Sequence, residues 1–74
     1  SINGVQAVAF LKQWEPGVIR ISLRSTGDVD VRQVAAAFGG GGHSKASGCT
    51  LNGDLEEARR LVTEALVRAV EATP

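Results

Sequence analysis

Residues Val18 to Ser25 read VIRISLRS, with apolar and polar side chains alternating through the arginine at position 24. Successive strand residues project to opposite faces, so Ile19, Ile21 and Leu23 share one side. Arg20, Ser22 and Arg24 share the other. A strand of this kind requires a sheet buried on one face and polar on the other, the usual pattern of an antiparallel hairpin. The cover for the buried face is legible at the C-terminal end. Asp54 is placed as an N-cap, and Glu56 and Glu57 fall in the first turn, where the helix dipole favours anions. Leu55, Ala58, Val62, Ala65, Leu66 and Ala69 then form one apolar stripe. Glu56, Arg60, Glu64 and Arg68 form an i, i+4 ladder on a more polar face.

The remaining elements follow from local pattern. Gly4 to Trp14 (GVQAVAFLKQW) has no internal breaker and reads as a strand buried on much of both faces. Val5, Ala7, Ala9 and Leu11 lie on one face, Val8, Phe10 and Trp14 on the other. Glu15-Pro16-Gly17 is a turn, so the first two strands form an antiparallel hairpin. Asp30 is placed as a helix N-cap with Gln33 three residues on. Val31, Val34, Ala35 and Phe38 give a short amphipathic helix that Gly39 ends. Ala46 to Leu51 (ASGCTL) reads as a third strand, and Asn52-Gly53 as a turn. The expected order is β-β-α-β-α, a small two-layer α/β domain with a mixed sheet and helices packed on it.

Size and composition narrow the function classes. Seventy-four residues make one domain, residues 1–74, whose core must come from Val, Leu, Ile and Ala, because Trp14, Phe10 and Phe38 are the sole aromatics. Eight basic and eight acidic residues argue against a strongly basic nucleic-acid arm. The charge is uneven, however. Arg20 to Lys45 carries four basic and two acidic residues, and Asp54 to the end carries three and five, so an anion site belongs in the middle third. Cys49 is the single cysteine and His43 the single histidine, which leaves no intrachain disulfide and no transition-metal constellation. No signal peptide and no membrane-length apolar run is present, so a cytoplasmic setting is expected. The start at Ser1, without Met, is that expected of a fragment of a longer protein.

The middle third also holds FGGGGHSKASG, Phe38 to Gly48. Glycine loses more backbone freedom on folding than any other residue, so four in succession are costly. A helix C-cap accounts for Gly39 alone. Gly40, Gly41 and Gly42 are compatible with a plain connection, or with glycines that serve only close packing. They are equally suited to a concave row of backbone amides that meets an anion. His43 at its edge can donate to a phosphate, and Lys45 adds positive charge. Arg20 and Arg24, with Ser25 at the strand end, suit bidentate phosphate contact if the fold brings them alongside. No Gly-Lys-Ser/Thr closes the run, so it is not a Walker loop.

ISLRS, GDVDV and FGGGGHSKASG, followed by a strand and an amphipathic helix, resemble the C-terminal DHH-associated domain of DHH-family phosphoesterases. That domain carries a GGGH or GGH motif and then a small-residue AAG or ASG. Within the superfamily the combination is most similar to the nanoRNase/pAp-phosphatase group, which degrades very short oligonucleotides and removes a phosphate from pAp. RecJ-type exonucleases and cyclic-dinucleotide phosphodiesterases carry related but less similar motifs. The resemblance implies that catalysis by two manganese ions resides in an N-terminal DHH domain of the same polypeptide, with no metal held by this one. The 74-residue chain alone is then expected to be inactive. It implies a substrate-binding role for Arg24, Gly40, Gly41, Gly42 and His43, and more weakly for Arg20, Ser25, Lys45 and Ser47, where Ser47 stands in place of the second alanine of AAG. Short RNA or DNA oligonucleotides, or pAp, are the implied ligands, and parents of this kind are often homodimers. A free-standing single-stranded nucleic-acid-binding module is the competing class, which aromatic stacking platforms and a basic groove would mark.

Overall fold

A computed structural model describes residues 6–74. Its elements run β1 (Ala7–Glu15), β2 (Val18–Ser25), α1 (Val31–Ala37), β3 (Gly41–His43), β4 (Ala46–Asn52) and α2 (Leu55–Glu71). The four strands form one sheet in the order β1-β2-β4-β3, with antiparallel neighbours throughout. Both helices pack on one face, giving the expected two-layer α/β architecture. The sheet differs from the expected mixed one because Gly41–His43 forms an additional short strand. β3 runs in the same direction as β2, as a crossover through α1 requires. A two-residue hairpin then reverses the chain, so β4 inserts between them antiparallel to both.

The β1–β2 turn uses Pro16 and then Gly17 at φ +82°, the positive value that the third corner of a type II turn needs. The pairing slips between Gln13 and Glu15, leaving Trp14 as a bulge. Ile19, Ile21 and Leu23 are buried, as the alternation demands, with Val31, Val34 and Ala35 of α1 and Ala58 and Val62 of α2. Val29 in the β2–α1 connection is also fully enclosed. Asp30 caps α1 by accepting from the amides of Arg32 and Gln33, and Asp54 caps α2 by accepting from Glu57.

Three further expectations are corrected. β1 is not buried on both faces: Ala7, Ala9 and Leu11 pack on the core, but Phe10 and Trp14 are 62% and 55% exposed. The reason is that the helices cover one face alone. The expected residues Gly4 and Val5 lie outside the described ones. On α2, Arg60 pairs with Glu64 and Glu57, while Glu56 pairs with Arg59, so the ladder mixes i+3 and i+4 contacts. Leu55, assigned to the apolar stripe, is exposed. Among the described residues no helix is long and apolar enough to cross a membrane.

Candidate functional site

Cross-strand partners in an antiparallel sheet project to the same side. The register therefore sorts the face away from the helices into rows. One row is Val8, Arg24, Ala46 and His43; the next is Phe10, Ser22, Gly48 and Gly41; the third is Lys12, Arg20 and Thr50. Arg24 and His43 thus stand on one open face, flanking Ala46. Two strand spacings separate their backbones, about 10 Å. Between the Arg24 and Arg20 rows lies a floor almost without side chains: Ser22, Gly48 and Gly41.

The elements that carry this face are tied together at one end. The Ser44–Lys45 turn follows His43 directly. Its Ser44 carbonyl accepts from the Val31 amide at 3.0 Å, and its Lys45 carbonyl accepts from the Ser25 amide at 2.9 Å. The Ser47 hydroxyl donates to the Val31 carbonyl at 2.8 Å, and the Lys45 ammonium donates to the Gly27 carbonyl. These bonds lock the hairpin bearing His43 to the end of β2 bearing Arg24. The Arg24 guanidinium donates to the Leu23 carbonyl at 3.1 Å, which fixes its stem beside the strand.

The glycine run resolves into separate jobs. Gly39, at φ +83°, and Gly40 close α1 by donating to the carbonyls of Ala36 and Ala35. This is the two-bond Schellman closure. Gly39 thus serves as the expected cap, and of the three glycines expected to face an anion, Gly40 has its amide spent on the helix end. A Cβ on Gly40 would sit 2.1 Å from the Gly48 carbonyl oxygen, and one on Gly42 would sit 2.6 Å from Ser47 Cα. Close packing accounts for both. Gly41 has φ outside the positive range and open space where a Cβ would go.

Beyond the end of β3, the uncovered edge of β4 and the C-terminal end of α1 enclose an open groove of about 440 Å³. Arg20, Ser22, Phe38, Gly40, Cys49 and Thr50 are among its walls. Burial pushes the Cys49 thiol up, so it stays protonated. The Arg20 guanidinium lies 4.5 Å from the centre of the Trp14 ring, and the Lys12 ammonium lies 5.5 Å from it. The indole therefore steadies Arg20 by a cation–π contact at the groove's end of the face.

The residues expected at a site fall into two groups. Arg20, Arg24, Gly41 and His43 share the open face, and Gly40 borders the groove. Ser25 and Ser47 are buried on the opposite side, each 8% exposed, and make structural bonds. Lys45 is engaged with Gly27, and Gly42 is packed against β4. Phe10 and Trp14 also stand on the polar face, which the sequence marks only indirectly. The signal is present, because they share strand parity with Lys12 and, through the hairpin register, with Arg20 and Arg24.

A model of the family described as "DHHA1 domain" matches residues 1–69. The chain belongs to the DHHA1 domain family. A DHHA1 domain of the NrnA-like group is indicated by two relatives. The "Bifunctional oligoribonuclease and PAP phosphatase NrnA" of Thermus thermophilus is 42% identical over 66 residues, 88% of this chain and 20% of that protein. The "Oligoribonuclease NrnB" of Bacillus subtilis is 48% identical over 42 residues, 55% of this chain and 10% of that protein. A crystal structure of an exopolyphosphatase-related protein from Bacteroides fragilis superposes with a TM-score of 0.78 at 40% identity. That match covers 92% of this chain and 20% of the other. This DHHA1 domain therefore spans a fifth or less of the length of these relatives.

Proposed function

We propose that the open sheet face of this DHHA1 domain is the substrate-holding wall of a phosphoesterase acting on short oligonucleotides or pAp. The observation that carries the reading is the row Arg24–Ala46–His43 beside the bare Ser22–Gly48–Gly41 floor. A floor without side chains admits a ligand to backbone distance. Arg24 and Arg20, four residues apart on one strand and so about 13 Å apart at the backbone, offer guanidinium forks to phosphate at either side of it. His43 adds a donor or proton carrier at the edge strand. The bonds around Val31 and Ser44 hold Arg24 and His43 in place before a ligand arrives, which lowers the cost of binding. The activities that the NrnA and NrnB relatives are named for support the same ligand class.

In this reading the reacting centre lies on an N-terminal DHH domain of the same polypeptide, which supplies manganese chemistry. The described residues of this chain contain no group of three or more His, Cys, Asp or Glu that could hold a metal ion. Their part is to bind, orient and complement charge. The 74-residue chain by itself would bind weakly and hydrolyse nothing.

Amide shifts followed during titration with pAp, a dinucleotide and a longer single strand test the proposal. Shifts centred on Ser22, Arg24, Gly41 and His43 at millimolar ligand are expected, stronger for pAp or the dinucleotide per nucleotide than for the long strand. Shifts confined to the α2 side, or none at millimolar ligand, would overturn it.

A further inference from the structure

The exposed ring of Phe10 is unexplained by packing, and its place is specific. Phe10 pairs with Ser22, and beyond Ser22 the row continues through Gly48 to Gly41. The ring is therefore the one large side chain in a row that is otherwise nearly bare. Its diagonal neighbours across the pair are Arg20 and Arg24, within the roughly 7–8 Å reach of such positions. Among the strand positions on this face the charged residues are Lys12, Arg20 and Arg24, with Glu15 alone of opposite sign and at the far turn. An aromatic plane set between cations and bordered by a flat floor suits a flat, uncharged ring system joined to phosphate. A purely apolar partner would leave the arginines unpaired.

We infer that Phe10 is a stacking platform for a nucleobase of the bound substrate, with the adjoining phosphates on Arg20 and Arg24. The inference rests on the proposed function and adds a specificity-determining residue to it. Every base presents a π-face, so stacking on Phe10 is tolerant of base identity but requires a base. Trp14 has a different part: with Arg20 and Lys12 against its ring, it positions Arg20. It is also the single tryptophan of the chain, a built-in fluorescence reporter for events at Arg20.

The test compares dinucleotide affinity of the 74-residue chain with that of Phe10→Ala, Phe10→Leu and Phe10→Tyr. A dinucleotide lacking one base serves as the second ligand, and Trp14 emission and amide shifts are the readouts. Phe10→Ala and Phe10→Leu are expected to lose about tenfold for the intact dinucleotide and much less for the abasic one. Phe10→Tyr restores the affinity. Phe10 is exposed, so all three variants are expected to keep the parent amide spectrum. Equal affinity of Phe10→Ala and the parent for the dinucleotide overturns the inference while leaving the phosphate-binding reading intact, and marks Phe10 as a contact for another protein surface instead. Failure of the parent chain to bind either ligand at millimolar concentration overturns both.

Discussion

Gly40 packs directly onto Gly48: a Cβ at position 40 would come within 2.1 Å of the Gly48 carbonyl oxygen and 2.7 Å of Cys49 Cβ. Backbone cannot yield as a flexible side chain can, so either β4 or the closed end of α1 must move. Gly40→Ala is expected to cost about 3 kcal/mol or more, the upper range for overpacking, read as a lower urea midpoint. One position along, Gly41→Ala meets open space and ordinary φ. It is expected to leave stability unchanged or raise it by about 0.4–1 kcal/mol through the unfolded chain. Its new methyl group stands on the floor between Arg20 and Arg24, so nucleotide affinity should fall. The pair separates glycine kept for packing from glycine kept for a ligand; Gly41→Ala with full affinity would remove the floor from the site.

Ser47 provides a second separation. Its hydroxyl is buried and donates to the Val31 carbonyl, joining β4 to the first turn of α1. Ser47→Ala is expected to lose about 1 kcal/mol, the usual net worth of such a bond. Nucleotide affinity should be unchanged, since the side chain faces the helices. A loss of affinity without a loss of stability would return Ser47 to the ligand site.

The strands, helices and caps were legible because each rests on local chemistry. The alternation of β2 dictates its buried face, and Asp30, Gly39 and Asp54 mark helix ends through bonds within a few residues. β3 was not legible. Three residues of Gly-Gly-His have no apolar alternation, and their strand conformation comes from pairing with Ala46–Gly48. Without β3, nothing in the glycine run separates an anion-binding loop from a plain connection, whereas in the fold α1 consumes two of its amides. Motif resemblance points to Arg24 and His43 separately, and the register through Ala46 is what places them together. Ser25 and Ser47 lie on the core side for a related reason: strand parity places Ser25 with Leu23, and the register pairs Ser47 with Leu23. Phe10 and Trp14 are apolar and so suggest burial by themselves; it is their parity with Lys12 and the hairpin register with Arg20 and Arg24 that put them on the face the helices leave open.

Cys49 gives the stability a pH dependence on the alkaline side. Burial favours its neutral thiol, so the folded pKa lies above the unfolded one. As pH rises past about 8.5 the unfolded thiol ionises while the folded thiol keeps its proton. The native state then binds more protons, and stability falls with rising pH until the folded thiol also ionises. Glu56 and Glu57 act oppositely: their arginine partners hold both below the ordinary carboxylate range. Their contribution is lost as pH falls through the acidic range, and it is small because the pairs are exposed. Urea midpoints measured from pH 7.5 to 10 should decline in the parent and decline less in Cys49→Ala, whatever its absolute stability. Identical slopes would show that the thiol is not the titrating group. Slow alkylation of the folded chain, accelerating in urea, should accompany the effect.

Arg24 and Arg20 should respond differently from Phe10, because they meet charge and not a ring. Arg24→Ala is expected to reduce affinity for pAp and for a dinucleotide about tenfold or more, the worth of a charge-assisted bond to phosphate. It should also flatten the dependence of log affinity on log salt by about 0.7, the value for one phosphate contact on a single strand. Arg20→Ala should show a similar drop. It should also change the emission of Trp14, whose ring lies 4.5 Å from that guanidinium. Arg24→Lys keeps the charge but not the planar fork, and should recover the salt slope without recovering full affinity. An affinity loss in Arg24→Ala with an unchanged salt slope would mean that Arg24 shapes the face without touching phosphate. The row Arg24–Ala46–His43 would then hold the ligand through His43 alone.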